Sequence, residues 1–219
     1  MSSATPSPGP SSSSAHGHHK RHSILPAVSQ SGPKPPVQFS SSCTIADSAL
    51  LTGAHTIIVS TESVIHPRAR LESLGGRVTV GRRCIVHERA CLGAADLQGR
   101  YHKGSPDKEG RSMGAVTLGD YVTVEVGAQV ESGGTVIGEG TTVGIGTRVG
   151  AGAVVGKHCT LTANSTVAAG EAIPDYTVIY SNGLRRVDRR GVSDLKNKAQ
   201  ARQIDVLRRM IPSNPAKFQ

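Results

Sequence analysis

Aliphatic residues recur at Leu118, Val124, Val130, Ile137, Val143, Val149, Val155, Leu161, Val167 and Ile173, each step being six residues except one of seven. Four positions after these comes a residue that is mostly small or β-branched: Val122, Ala128, Thr141, Thr147, Ala153, Cys159, Ser165, Thr177. Glycine often follows the aliphatic directly, at Gly119, Gly138, Gly144, Gly150 and Gly156. A period of six with one large and one small inward residue suits a short strand and a tight corner. Three such units close a triangular coil of about eighteen residues, on which the next coil stacks. The pattern predicts an all-β, single-stranded, left-handed parallel β-helix. Each inward aliphatic contributes roughly 1.5–3 kcal/mol on burial, so the coils must stack without a gap; an isolated one would not fold.

The first half keeps the rule with interruptions, at Ile45/Ala49, Leu51/His55, Ile65/Ala69, Leu71, Val80/Cys84, Val86/Ala90 and Leu92. His55 is a misfit at an inward position. Insertions are expected at roughly 57–63 and at Ser73–Gly76, where glycine supports a bulging corner. The largest break, 93–115, reads as a polar loop ejected from one corner. The chain divides into a disordered Ser/Pro/His-rich tail (1–37), a β-helix (38–180), and a segment (181–219) of linker, helix and short tail. That helix is expected from Ser193 to Ile211, capped by Ser193 or Asp194, favoured at its end by Arg208 and Arg209, and stopped by Pro212. Its apolar flank, Leu195, Ala199, Ile204, Leu207, Met210 and Ile211, is expected to pack along the β-helix wall. A partner-binding role is the alternative.

With no Trp, two Phe and four Tyr, the core must be built from small β-branched residues, in agreement with a thin solenoid. The net charge of +9 belongs to the ends. Residues 1–37 carry +3, residues 180–219 carry ten Lys/Arg against three Asp, and the middle holds twelve Lys/Arg against thirteen acids. With no recognition motif beside it, this charge does not make a specific nucleic-acid binder. Cys43, Cys84, Cys91 and Cys159 have neither CxxC nor zinc-ribbon spacing and read as reduced thiols, two of them at small inward positions. No signal peptide or membrane-spanning run is evident, so a cytoplasmic location without membrane insertion is expected.

The residues bear on three chemistries. His66 and His87 each directly follow an inward aliphatic and could meet on successive coils, as in the zinc-binding γ-class carbonic anhydrases that share this architecture. Catalytic zinc needs a third protein ligand, and 113–157, where it would be expected, contains no histidine; Glu125 and Glu131 occupy that stretch instead. A hexapeptide-repeat acyltransferase needs a histidine base within reach of a hydroxyl or amine; His102 and His158 are candidates without a recognisable partner. The glycine turns Gly144-Ile145-Gly146 and Gly150-Ala151-Gly152 keep the six-residue beat and precede no helix, so they are corners, not phosphate cradles.

The closing residues Ile173-Pro174-Asp175-Tyr176-Thr177-Val178-Ile179-Tyr180, then Gly183-Leu184-Arg185-Arg186-Val187 and Ile204–Pro212, together with Val64–Arg70, resemble the dynactin subunit 6 family over about 40–212. The resemblance implies a non-catalytic scaffold of the dynactin pointed-end complex, cytoplasmic and cytoskeletal, supporting dynein-driven transport. It further implies a hetero-oligomer with the β-helical dynactin subunit 5, the pointed-end actin-related protein and the large zinc-binding subunit. Neither cofactor, metal nor catalytic residue is expected on this reading. The expected contact residues are Arg100, Tyr101 and His102 in the loop, with Arg185, Arg186, Leu207, Met210 and Ile211 beyond the repeat.

Overall fold

A computed structural model describes residue 1 and residues 32–96, 98–101 and 114–218. The expected tail lies almost wholly outside these residues, as do His102 and most of the 93–115 loop. The repeats wind a left-handed parallel β-helix of about six coils with three flat faces. The first face stacks Val37–Phe39, Ile57–Val59, Val78–Val80, Val116–Leu118, Thr135–Ile137, Val154–Val155 and Ala172–Ile173. The second stacks Thr44–Ile45, Val64–Ile65, Ile85–Val86, Thr123–Val124, Thr142–Val143, Thr160–Leu161 and Thr177–Ile179. Leu50–Gly53, Arg70–Ser73, Cys91–Ala94, Gln129–Glu131, Arg148–Val149 and Thr166–Val167 form the third.

All ten of the aliphatics that set the beat point inward and are no more than 3% exposed, and the small residues between them are buried too. Strand register shows where the beat slips: Val37 pairs with Ile57, Ile57 with Val78, Val78 with Val116 and Val116 with Thr135, whereas Val136 pairs with Val154 and Val154 with Ala172. The last coils are therefore the regular ones, and the step of 38 residues from Val78 to Val116 falls within a single coil. Two local expectations change. Ile57–Val59 is an ordinary strand, so the first irregularity falls just before it, and His55 is exposed at that bulge rather than inward.

The recurrent glycine has a steric cause. A Cβ on Gly138 would sit 2.5 Å from the backbone carbon of Gly156 one coil on, so stacking at strand spacing leaves no room there. The corners between the first and second faces adopt left-handed backbone even with side chains, as at Arg83 (φ 55), Tyr121 (φ 56) and His158 (φ 54). That conformation is costly alone. Here cross-coil contacts hold it: Arg83 pairs with Glu62, donates to the Tyr121 hydroxyl at 2.6 Å and lies over its ring, while His158 stacks on Tyr176.

Beyond the repeat, Arg185–Val187 turns back as an antiparallel strand on Thr177–Ile179. Helix α1, Ser193–Met210, then runs back along the second face, with Ile204 buried against Val64 and Ile85 and flanked by Leu207 and Ile211. Its eighteen residues span about 27 Å at 1.5 Å each, close to the roughly 24 Å of six strands at their usual spacing. The helix therefore reaches the first coil, where Ser213 bridges Ala46 and Phe218 packs edge-to-face on Phe39 over the prism's end. The N-cap position is Val192, with no side-chain cap, in place of the expected Ser193 or Asp194. No helix among the described residues is long and apolar enough to cross a membrane.

Candidate functional site

At the corner leaving the second face, the residue after each inward aliphatic forms a row up the prism: Ala46, His66, His87, Glu125, Gly144 and Thr162. A Cβ on Gly144 would meet backbone of the next coil at 2.5 Å. In three consecutive coils the same position instead carries a large polar side chain. The backbone aims them alike, because His66, His87 and Glu125 each donate their N–H to the next coil, at Val86, Val124 and Val143.

The His66 and His87 rings lie 4.6 Å apart between centroids, and His87 Nε2 lies 3.7 Å from Glu125 Oε2. The second distance is ion-pair range, longer than a hydrogen bond. The His87 side chain is 16% exposed and that of Glu125 32%, so the pair is shielded yet open to solvent on one side. His66 Nε2 is buried without a hydrogen-bond partner. Burial, followed by the repulsion of His87 and partly opposed by Glu88, lowers the His66 pKa to about 4, so this imidazole is neutral near pH 7. Helix α1 packs on Val64 and Ile85, two residues before each histidine, and borders the row on the second-face side.

An imidazole facing a carboxylate, shielded but reachable, is the arrangement of a general base, which takes a proton from a substrate while the carboxylate holds the resulting charge. Among the described residues no group of three or more His, Cys, Asp and Glu could hold a metal ion. The residue pattern anticipated that His66 and His87 would meet. It missed that Glu125 completes the row, because a 38-residue separation hides the pairing; the only signal available is that all three directly follow an inward aliphatic. His158, by contrast, stacks on Tyr176 at the opposite edge of the second face and has no carboxylate partner described.

The expected contact residues do not gather in one place. Arg100 is paired with Asp96 at 3.1 Å and lines a groove of about 340 Å³ with Glu131, Arg148 and Thr166–Ala169 on the third face. Tyr101 donates to the buried Glu72 at 2.9 Å, and burial first, then this bond to a carboxylate, pushes its pKa up to about 12. His102 lies outside the described residues. Arg185 pairs with Glu171, and Arg186 is exposed on the added strand. Leu207 and Ile211 turn inward against the second face, whereas Met210 points away and is 71% exposed. An open groove of about 710 Å³ along Val37–Ser40, Ile58–Thr61 and Arg82 lies on the first face, apart from the histidine row and without an acid–base pair.

Residues 134–169 match the family model described as bacterial transferase hexapeptide (six repeats). The chain carries hexapeptide repeats. Two solved structures share its fold. A hexapeptide transferase family protein from Anaplasma phagocytophilum is 17% identical, with TM-score 0.63 over 80% of this chain and 92% of that one. A putative acetyltransferase from Bacillus cereus is 20% identical, with TM-score 0.62 over the same shares. At this identity the likeness shows the fold. No curated protein matches the chain. The expectation of a non-catalytic chain is corrected by the matched family model, which is that of a transferase repeat. The dynactin, dynein and transport expectations find no support among them.

Proposed function

We propose that the chain is an acyltransferase of the hexapeptide-repeat type, with His87 as general base and Glu125 as its orienting carboxylate. The observation that carries this reading is the pair itself, an imidazole and a carboxylate 3.7 Å apart on successive coils, in a position that the next coil fills with glycine. The transferase repeat and the fold shared with a putative acetyltransferase support a thioester as acyl donor.

In the reaction, the His87 nitrogen that faces away from Glu125 takes the proton of an acceptor hydroxyl or amine. The freed oxygen or nitrogen attacks the thioester carbonyl carbon, the new C–O or C–N bond forms, and the C–S bond breaks. The proton passes from the imidazolium to the departing thiolate, returning His87 to its neutral state. Glu125 stabilises the imidazolium while it exists. His66, neutral and packed on the His87 ring, keeps water from one side and limits the ring's rotation, which makes it a positioning residue.

The test is thiol release from acetyl coenzyme A in the presence of a panel of amino and hydroxy sugars. His87→Ala is expected to slow the transfer by roughly 10²–10⁴-fold, the usual contribution of a general base, with circular dichroism unchanged. Absence of release with every acceptor, or an undiminished rate in His87→Ala, refutes the reading.

A further inference from the structure

We infer that the outer face of α1 is a docking surface for an acidic, amphipathic helix of a partner protein. The two sides of α1 do different things. Gln200, Ile204, Leu207 and Ile211 lie about 120–180° around the helix from Leu195 at 3.6 residues per turn, and they face the prism, with Ile204 only 2% exposed. Leu195, Ala199, Val206 and Met210 fall within about 60° of one line on the opposite side. Leu195 is 67% exposed, Val206 54% and Met210 71%.

A single exposed aliphatic needs no explanation, but four in register over about four turns do. The chain's own fold does not require them, because the inner face alone seats the helix. Arg202, Arg209 and Lys198 lie about 20–60° beyond the Leu195 edge of the stripe, and the two acids, Asp205 and Asp194, follow on the same side at about 80–100°. The outer face thus offers an apolar line about 22 Å long whose nearest charged neighbours on one flank are cations, with the acids farther round.

The complement in charge and shape is a helix of similar length with its own apolar stripe flanked by Asp or Glu. Arg186 and Arg189, exposed on the neighbouring strand and linker, extend the positive field. An anionic bilayer is the poorer fit, because α1 contains no Trp, Tyr or Phe to anchor it at an interface. This surface is separate from the His87 row and does not depend on the transfer chemistry.

The experiment titrates the full chain with three probes: a designed eighteen-residue helix carrying a Leu stripe flanked by Glu, the same helix with Lys for Glu, and phosphatidylcholine vesicles containing phosphatidylserine. The acidic peptide is expected to bind, to weaken with added salt, and to lose at least tenfold in affinity to the double variant Val206→Glu, Met210→Glu. Both positions are exposed, so the variant should keep the wild-type melting temperature. Ile58→Glu, on the first face, should bind as wild type does. Equal binding of the acidic and basic peptides, undiminished binding by the double variant, or binding to vesicles in place of the acidic peptide overturns the inference.

Discussion

Replacing His66 by leucine is expected to make the protein less sensitive to mild acid. The buried Nε2 of His66 has no partner, and its pKa falls from the ordinary 6.5 to about 4, through burial first and His87 second. In the unfolded chain the same imidazole titrates near 6.5. Between those values the unfolded state binds a proton that the folded state refuses, so stability is complete above about 6.5 and is lost as the pH falls towards about 4. At 1.36 kcal/mol per pKa unit the difference would reach about 3 kcal/mol. Discounting by about half for solvent around a group that is only partly enclosed leaves roughly 1–2 kcal/mol at pH 4.5. With a urea dependence of about 2 kcal/mol/M, the wild-type midpoint should drop by roughly 0.5–1 M more than that of His66→Leu between pH 7 and pH 4.5. At pH 7 the variant should equal or slightly exceed the wild type, because leucine removes an unsatisfied buried polar atom. Urea melts of both proteins at both pH values check this. Equal losses on acidification would show that His66 is not held neutral by its surroundings.

Gly138→Ala should destabilise the prism by about 1–3 kcal/mol, since the new methyl would meet the carbonyl group of Gly156 at 2.5 Å; Thr117→Ala, on the exposed first face, should change stability by less than about 0.5 kcal/mol. The same urea melts compare them, and equal midpoints would contradict the steric account. All four cysteines are free and buried, and burial pushes the Cys84 thiol up to about 12. An aromatic disulfide reagent at pH 8 should therefore find no fast-reacting thiol in the native protein and four in urea, counted by absorbance; rapid native labelling would show a coil that opens.

The solenoid was legible because each hexad is a local unit. A strand of two or three residues and a corner need only their own six positions to specify which side chain points inward, so Leu118 to Ile173 reads without knowledge of any partner. In the first half the beat is broken by bulges. There the sequence misplaced His55 and the insertion before Ile57, because a bulge changes which residue faces in without changing composition. The exit segment and terminal helix resemble those of a non-catalytic scaffold, whereas residues 134–169 match a transferase repeat.

The amino-acid sequence alone determined the period, the inward set and the presence of a final helix, since these follow from backbone geometry and burial over a few residues. Tertiary structure alone decided what lies beside what. His87 and Glu125 become neighbours because the coil beyond the long 93–115 insertion still stacks in register. Leu207 and Met210 part company because α1 must lay one side on Val64 and Ile85, and the return of Ser213 and Phe218 to the first coil depends on a helix long enough to span the prism. Stacking and docking are contacts between distant segments, and their energy depends on loop length and helix direction, which no window of neighbouring residues contains.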